Sequence, residues 1–282
     1  MVEINLFDNL FSHLATPIGN YSISPNKEPK YTRYVKNRFD FNGITLFTDS
    51  NMLSKNVDKV NSKYKIGWLP EPPAISPHVY RSINSELLSK FDFVLTFDDD
   101  LLRKYPSKTR LIPFGCTFVP RSKYSMYRKT KLVNMIYSSK NFATGHKLRH
   151  QISKTFPEVD FFGSGANSPF VNKESVLSDY MFSIVVENTK NNFYFTEKIL
   201  DSLAVGTIPI YWGAKRINFF LNADGILSFD SISELDCILK NLTPEKYHDM
   251  LPYAQENFDL IKKYDVPENW LYENIFNKLE IG

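Results

Sequence analysis

Short, nearly unbroken apolar runs recur along this chain, separated by stretches with helical spacing, and that alternation constrains the fold more than any other feature. Residues 44–48, 65–69, 91–97, 110–114, 132–137, 160–162, 182–186, 208–212 and 226–229 read as strands. Several are apolar on successive residues, as expected for strands covered on both faces. Residues 147–156 carry Leu148, Ile152 and Phe156 four apart, one stripe of a helix. Residues 197–205 turn Ile199, Leu200, Leu203 and Ala204 to one side and stop at Gly206. The pattern predicts an α/β fold with mostly parallel sheets.

The 282 residues leave room for two domains. A basic, polar stretch at 120–131 has no regular apolar spacing and reads as a solvated linker rather than a phosphate-binding patch. It divides the chain into residues 1–128 and residues 129–282, the latter ending in helices. Two facing α/β domains would leave a cleft, a usual place for ligands. With 43% hydrophobic and 23% charged residues the chain is neither disordered nor fibrous. A net charge of +3 gives no reason to expect a nucleic acid as partner. Cys116 and Cys237 are too few for a disulfide framework. The N-terminus lacks the pattern of a signal peptide, and the apolar run at 181–186 is too short to span a membrane. The expectation is a soluble, cytoplasmic protein with no integral membrane segment, although a chain trimmed of an anchor would read the same. The 15% aromatic content is high and serves either the core or a binding cleft.

Residues 180–200 carry the chemistry. They read as a buried strand, a polar loop and the start of a helix, with Glu187 and Asn188 at the strand's carboxyl end, where ligands of parallel sheets sit. Thr196 is placed as an N-cap, leaving Glu197 and Lys198 in the first helical turn. A helix N-terminus suits a phosphate, and Lys198 adds a full positive charge there. Glu197 offers a carboxylate to two ribose hydroxyls, and Tyr194 a ring and a hydroxyl. An ordinary capped helix with surface charges fits the same residues. The next piece, 204–213, reads as helix stop, strand and tight turn beside the same place.

The pattern Glu187-Asn188, Tyr194, Thr196-Glu197-Lys198-Ile199 and Ile208-Pro209-Ile210-Tyr211-Trp212-Gly213 resembles the donor-binding signature of the α1,3/4-fucosyltransferases, glycosyltransferase family 10. Upstream, Ile136-Tyr137-Ser138-Ser139-Lys140, Gly145-His146 and Arg149 are similar to the family's strand–loop–helix segment, and residues 91–113 more weakly to the end of its acceptor domain. The first sixty residues add little.

The resemblance implies a GT-B arrangement of two Rossmann-like domains. Residues 1–128 would bind the acceptor and residues 129–282 the donor, GDP-fucose. It implies transfer of L-fucose to a hydroxyl of a glycan, with inversion and without any required cofactor. Asn188, Tyr194, Glu197 and Lys198 would contact the nucleotide sugar, Glu197 holding the ribose and Lys198 with Arg149 the diphosphate. Ser139 and Lys140 would add contacts, and Glu187 would orient the fucose or support the site. An inverting displacement needs a general base. The resemblance points to Glu71, in Trp68-Leu69-Pro70-Glu71-Pro72-Pro73, although that context departs from the family's common form. The same fold carrying a different sugar, or a non-catalytic glycan-binding derivative, are the other readings. Acceptor and linkage are not legible.

No metal is expected. Asp98-Asp99-Asp100 suits a helix start better than a cation, because acidic residues favour the first turn. His146 and His150 are four apart, but without the glutamate of a zinc-protease motif. Gly163-Ser164-Gly165 lacks the lysine of a P-loop. Tyr211 and Trp212 suit either sugar stacking or the core.

Overall fold

A computed structural model describes residues 1–279 apart from 10–17, 21, 26 and 114. The described strands are β1 (Val2–Phe7), β2 (Ile18–Gly19), β3 (Thr32–Lys36), β4 (Asp40–Thr48), β5 (Asn61–Trp68), β6 (Phe93–Thr96), β7 (Thr109–Leu111), β8 (Lys131–Ile136), β9 (Asp160–Phe162), β10 (Tyr180–Val186), β11 (Ile208–Trp212) and β12 (Leu227–Ser228). The helices are α1 (Asn56–Lys59), α2 (Pro77–Ser82), α3 (Ser85–Ser89), α4 (Asp99–Lys104), α5 (Thr144–Thr155), α6 (Glu174–Leu177), α7 (Glu197–Ala204), α8 (Ile232–Lys240), α9 (Pro244–Leu260) and α10 (Pro267–Asn274). The nine expected strands correspond to β4 through β12, with ends shifted by a few residues. Phe114, the last residue of the expected strand at 110–114, lies outside the described residues.

The chain forms two compact units, Met1–Phe114 with Val266–Gly282, and Gly115–Asp265. The first holds a seven-stranded sheet in the order β2-β3-β1-β4-β5-β6-β7, parallel except for the β2–β3 pair. Alternate residues along its central strands serve two cores, as the two-residue period of a strand requires. Ile4, Leu6, Ile44, Leu46, Ile66 and Trp68 pack with Leu271 and Phe276 on one face. Phe7, Phe47 and Val94 pack with Val57, Val79, Leu88 and Leu101 of α1–α4 on the other. Asp98 caps α4 by accepting from the Leu101 N–H at 3.0 Å, with Asp99 and Asp100 in the first turn.

The division differs from the expected one at 128/129, and two anchors explain why. Glu268 of α10 is fully buried in the first unit, where it accepts from Ser22 Oγ at 2.6 Å, the Ile23 N–H at 2.8 Å and the Tyr34 hydroxyl at 3.2 Å. A buried carboxylate must be satisfied in this way, and Leu271 and Phe276 beside it add apolar burial. The C-terminal segment is thereby tied to the first sheet.

At the other boundary, the basic stretch at 120–131 is built into the second unit instead of standing as a solvated linker. Arg121 grips Asp265 through two bonds of 2.7 and 2.8 Å. Lys129 is buried and donates to Ser178 O, Val205 O and Thr207 Oγ1 at 2.6–2.9 Å. Burial lowers its pKa to about 7.

The second unit holds the parallel sheet β12-β11-β10-β8-β9. Val133, Met135, Phe182, Ile184, Ile208 and Ile210 face α5 and α9. Val185 and Tyr211 face α7, whose Ile199, Leu200, Leu203 and Ala204 are buried as the stripe predicted. The helix stops at Gly206, with φ +71°, a conformation that suits glycine. Val186 pairs with Trp212, and Ile184 with Met135, so β8, β10 and β11 end at one edge. The loops after those strands carry most of the candidate site residues.

Candidate functional site

Glu187 follows β10 and is completely buried. Its Oε1 accepts the Thr196 N–H at 2.8 Å and its Oε2 the Thr196 hydroxyl at 2.7 Å, with Lys198 Nζ 3.3 Å from the same Oε2. Thr196 caps α7, its Oγ1 accepting from Lys198 Nζ at 2.9 Å and, more weakly, from the Lys198 N–H. The strand end and the helix start are therefore locked by one carboxylate and one hydroxyl. Both Glu187 oxygens are thus engaged within the protein.

Arg149 comes from α5 and is only 5% exposed. Its Nε and Nη2 donate to Val186 O at 2.9 and 2.5 Å, and Nη2 also to Asn188 Oδ1 at 3.0 Å. Among the described residues nothing bonds its Nη1. Burial lowers its pKa, while the charges of Glu187 and Glu197 oppose that shift. Arginine stays protonated in such a setting. Tyr194 is almost wholly buried, as is Tyr211, whose hydroxyl donates to Tyr194 O at 3.4 Å and accepts the Ala214 N–H at 3.0 Å. Tyr211 and Trp212 belong to the two cores of this unit. Ser139 and Lys140 are exposed after β8, where the Ser139 N–H donates to Ser164 Oγ at 3.0 Å and Lys140 O meets His150 Nε2 at 3.0 Å.

Cations and carboxylates meet at this edge, with Arg149, Lys140 and Lys198 near His146. His146 is buried in α5's first turn, with Nδ1 accepting the Ala143 N–H at 3.2 Å. Burial lowers its pKa to about 4, with Arg149, Lys140 and Lys198 adding to the effect. His146 is therefore a neutral imidazole near neutral pH. Glu197 responds oppositely. Burial alone would raise its pKa, but Lys198 and Lys173 hold it well below the usual carboxylate range. Lys173 was not legible from the sequence, because it lies outside every motif and reaches Glu197 only through the fold.

Gly145 lets α5 approach β10. Its N–H donates to Asn188 O at 3.1 Å, and a Cβ there would lie 1.7 Å from Glu187 O. Gly145→Ala is expected to push α5 away, costing about 1–3 kcal/mol or more and detaching Arg149 from Asn188. Thermal unfolding together with GDP calorimetry would show it; an unchanged Tm and unchanged binding would contradict this account.

Glu71 lies in the first unit, three residues beyond β5. Its carbonyl accepts the Tyr80 hydroxyl at 2.9 Å. Asp49, just beyond β4, is 2% exposed with φ +40°, and neither carboxylate oxygen has a well-formed hydrogen bond among the described residues. Burial raises its pKa to about 8; the charges of Glu71 and Asp8 add to this, and the Glu71 N–H opposes it. Between about pH 4 and about pH 8 the folded chain therefore holds a proton that the unfolded chain has lost, and stability falls as pH rises across that window. Asp49→Asn is expected to gain Tm relative to the wild type on going from about pH 5 to about pH 9. A constant difference would mean that Asp49 titrates normally.

The model of the C-terminal part of glycosyltransferase family 10 (fucosyltransferase) matches residues 126–267. The chain belongs to this family. Over 113 residues it is 41% identical to the α-(1,3)-fucosyltransferase FucT of Helicobacter pylori, a match covering 39% of this chain and 20% of that protein. It is 25% identical over 231 residues to the 4-galactosyl-N-acetylglucosaminide 3-α-L-fucosyltransferase 9 of Rattus norvegicus, covering 72% of this chain and 61% of that one. The chain thus spans between a fifth and about three-fifths of these relatives' lengths. A crystal structure of an α1,3-fucosyltransferase with GDP superposes with a TM-score of 0.58 at 16% identity, covering 99% of this chain and 91% of that one. The likeness shows the fold, an α/β architecture of the GT-B class as expected. The matched region contains Arg149, Asn188, Tyr194, Glu197 and Lys198 but not Glu71. Among the described residues no helix is long and apolar enough to cross a membrane.

Proposed function

We propose that this member of glycosyltransferase family 10 is an inverting enzyme that transfers L-fucose from GDP-fucose to a hydroxyl of a glycan. The observation that carries this reading is the convergence of Arg149, Lys198 and the capped start of α7 at one strand edge within the matched region. Such a constellation suits a nucleoside diphosphate leaving group. Negative charge grows on the diphosphate as the glycosidic bond breaks, and preorganised cations lower the barrier. Arg149 is already oriented by Val186 and Asn188, so little ordering remains to be done when the diphosphate binds.

In this reading Lys198 and Arg149 Nη1 take the phosphate oxygens, and Glu197 accepts from the ribose hydroxyls. Ser139 and Lys140 close the phosphate side, while Asn188 holds Arg149 and, with Tyr194, contacts the nucleotide sugar. Glu71 takes the proton from the acceptor hydroxyl as that oxygen attacks the anomeric carbon. One displacement inverts that centre, and no covalent intermediate forms.

The test is mass spectrometry of products from GDP-fucose and a panel of galactose- and N-acetylglucosamine-containing acceptors, with other sugar nucleotides alongside. A mass gain of one deoxyhexose from GDP-fucose supports the reading. Turnover of a different sugar nucleotide alone, or donor binding without transfer to any acceptor, would refute it.

A further inference from the structure

Glu197 is asked to hold a diol, and a carboxylate does that well only when it is ionised and fixed in orientation. Two cations meet it. Lys198 Nζ lies 3.3 Å from Oε1, and Lys173 Nζ lies 3.5 Å from the same oxygen. Lys198 is also engaged by the buried Glu187 and by Thr196, so it cannot serve Glu197 alone. Lys173 is held by a separate brace. Its ammonium is 2.6 Å from Asp201 Oδ2 and sits over the Phe118 ring, 4.6 Å from the centroid. Asp201 is itself pinned, its Oδ1 accepting the Phe118 N–H at 2.7 Å and the Val119 N–H at 3.1 Å.

Asp201 stands one turn beyond Glu197 on α7, so the two carboxylates share a helix face and can take the same lysine. Asp201's oxygens divide their work, one to the backbone and one to Lys173. The Lys173 and Asp201 side chains are only 17% and 1% exposed, so this pair is screened little by solvent. Burial would lower the pKa of Lys173, but the charges of Asp201 and Glu197 more than reverse that.

We propose that Lys173, braced by Asp201 and Phe118, is a positioning residue that fixes the Glu197 carboxylate for the ribose hydroxyls of the nucleotide. The inference rests on the assignment of Glu197 to the ribose. It adds a residue that lies between the two recognisable motifs and touches the nucleotide only through Glu197.

The experiment is calorimetry of the full chain with GDP and with 2′,3′-dideoxy-GDP. The wild type is expected to prefer GDP by about tenfold or more, the worth of hydrogen bonds to a charged group. Lys173→Met should weaken GDP by about tenfold while hardly changing the dideoxy ligand, so the preference collapses. Lys173→Arg should restore part of it, and Asp201→Asn should reduce it in a second, independently folded variant. Equal weakening of both ligands by Lys173→Met, or an unchanged preference, would overturn the proposal. Glu197→Gln separates the two levels. If it abolishes the preference and Lys173→Met does not, the positioning role fails and the ribose assignment stands. If the wild type shows no preference, or Glu197→Gln keeps it, the ribose assignment fails and takes the proposal with it.

Discussion

Glu71→Gln is expected to lower kcat by about a hundred- to ten-thousandfold, the usual worth of a positioned general base, while GDP binds as in the wild type. The substitution keeps the side chain's shape and removes its basicity. Pro70, Pro72 and Pro73 restrict the backbone around Glu71, and Tyr80 ties its carbonyl at 2.9 Å. The loop should therefore keep its course in the variant. Initial rates with GDP-fucose, paired with GDP calorimetry, decide the matter. Turnover near the wild-type level with intact GDP binding would remove Glu71 from the mechanism. Asp49 makes the pH profile a second readout, because its ionisation near pH 8 changes the charge beside Glu71. In Asp49→Asn any alkaline limb arising from that event should disappear.

Lys198→Ala is expected to cost kcat about a hundred- to a thousandfold, the scale seen when one stabilising group facing a developing charge is removed. It should also lower Tm. Glu187 is fully buried and would keep its two bonds from Thr196 but lose the cation 3.3 Å from Oε2. Leaving a buried charge less compensated is costly. Lys198→Arg should recover part of both losses. Single-turnover rates and thermal unfolding of the two variants measure this. A variant with normal Tm and normal kcat would show that Lys198 is neither a donor ligand nor a prop for the strand end. Loss of Tm alone, with turnover preserved in the folded fraction, would confine Lys198 to support.

Much of the second unit is legible in the sequence. The apolar runs at 182–186 and 208–212 became adjacent parallel strands, and Thr196 became the N-cap that its position announced. These features are local: strand burial, helix periodicity and capping are written within about twenty residues. The first unit was less legible. Its β1, β2 and β3 are not legible in the sequence, although β1 is an interior strand of its sheet. Val2–Phe7 alternates Glu3 and Asn5 with apolar residues, a pattern too short to stand out. Asn5 is nonetheless buried, its amide bonding Arg38 O at 2.8 Å and Thr45 Oγ1 at 3.1 Å.

Two misreadings share one cause. Lys129 looked like a linker lysine and is a buried donor to Ser178, Val205 and Thr207. Glu268 lies in the terminal helices assigned to residues 129–282 and anchors its helix to Ser22, Ile23 and Tyr34 in the first unit. Charged residues read as surface by default, since burying a charge is unfavourable without partners. When the partners lie tens or hundreds of residues away, local sequence cannot announce them.

The sequence by itself determined the alternating α/β class, the helix start at Thr196 and the residue types gathered between 187 and 198. Periodicity and capping act over a few residues, so a linear reading reaches them. Only the tertiary structure decided which oxygen each cation meets. It set Arg149 against Val186 and Asn188, brought Lys173 across from its own loop to Asp201 and Glu197, and buried Asp49 near Glu71. Those outcomes depend on distances between segments that the chain joins only by folding, and on burial, which sets how strongly each charge is felt.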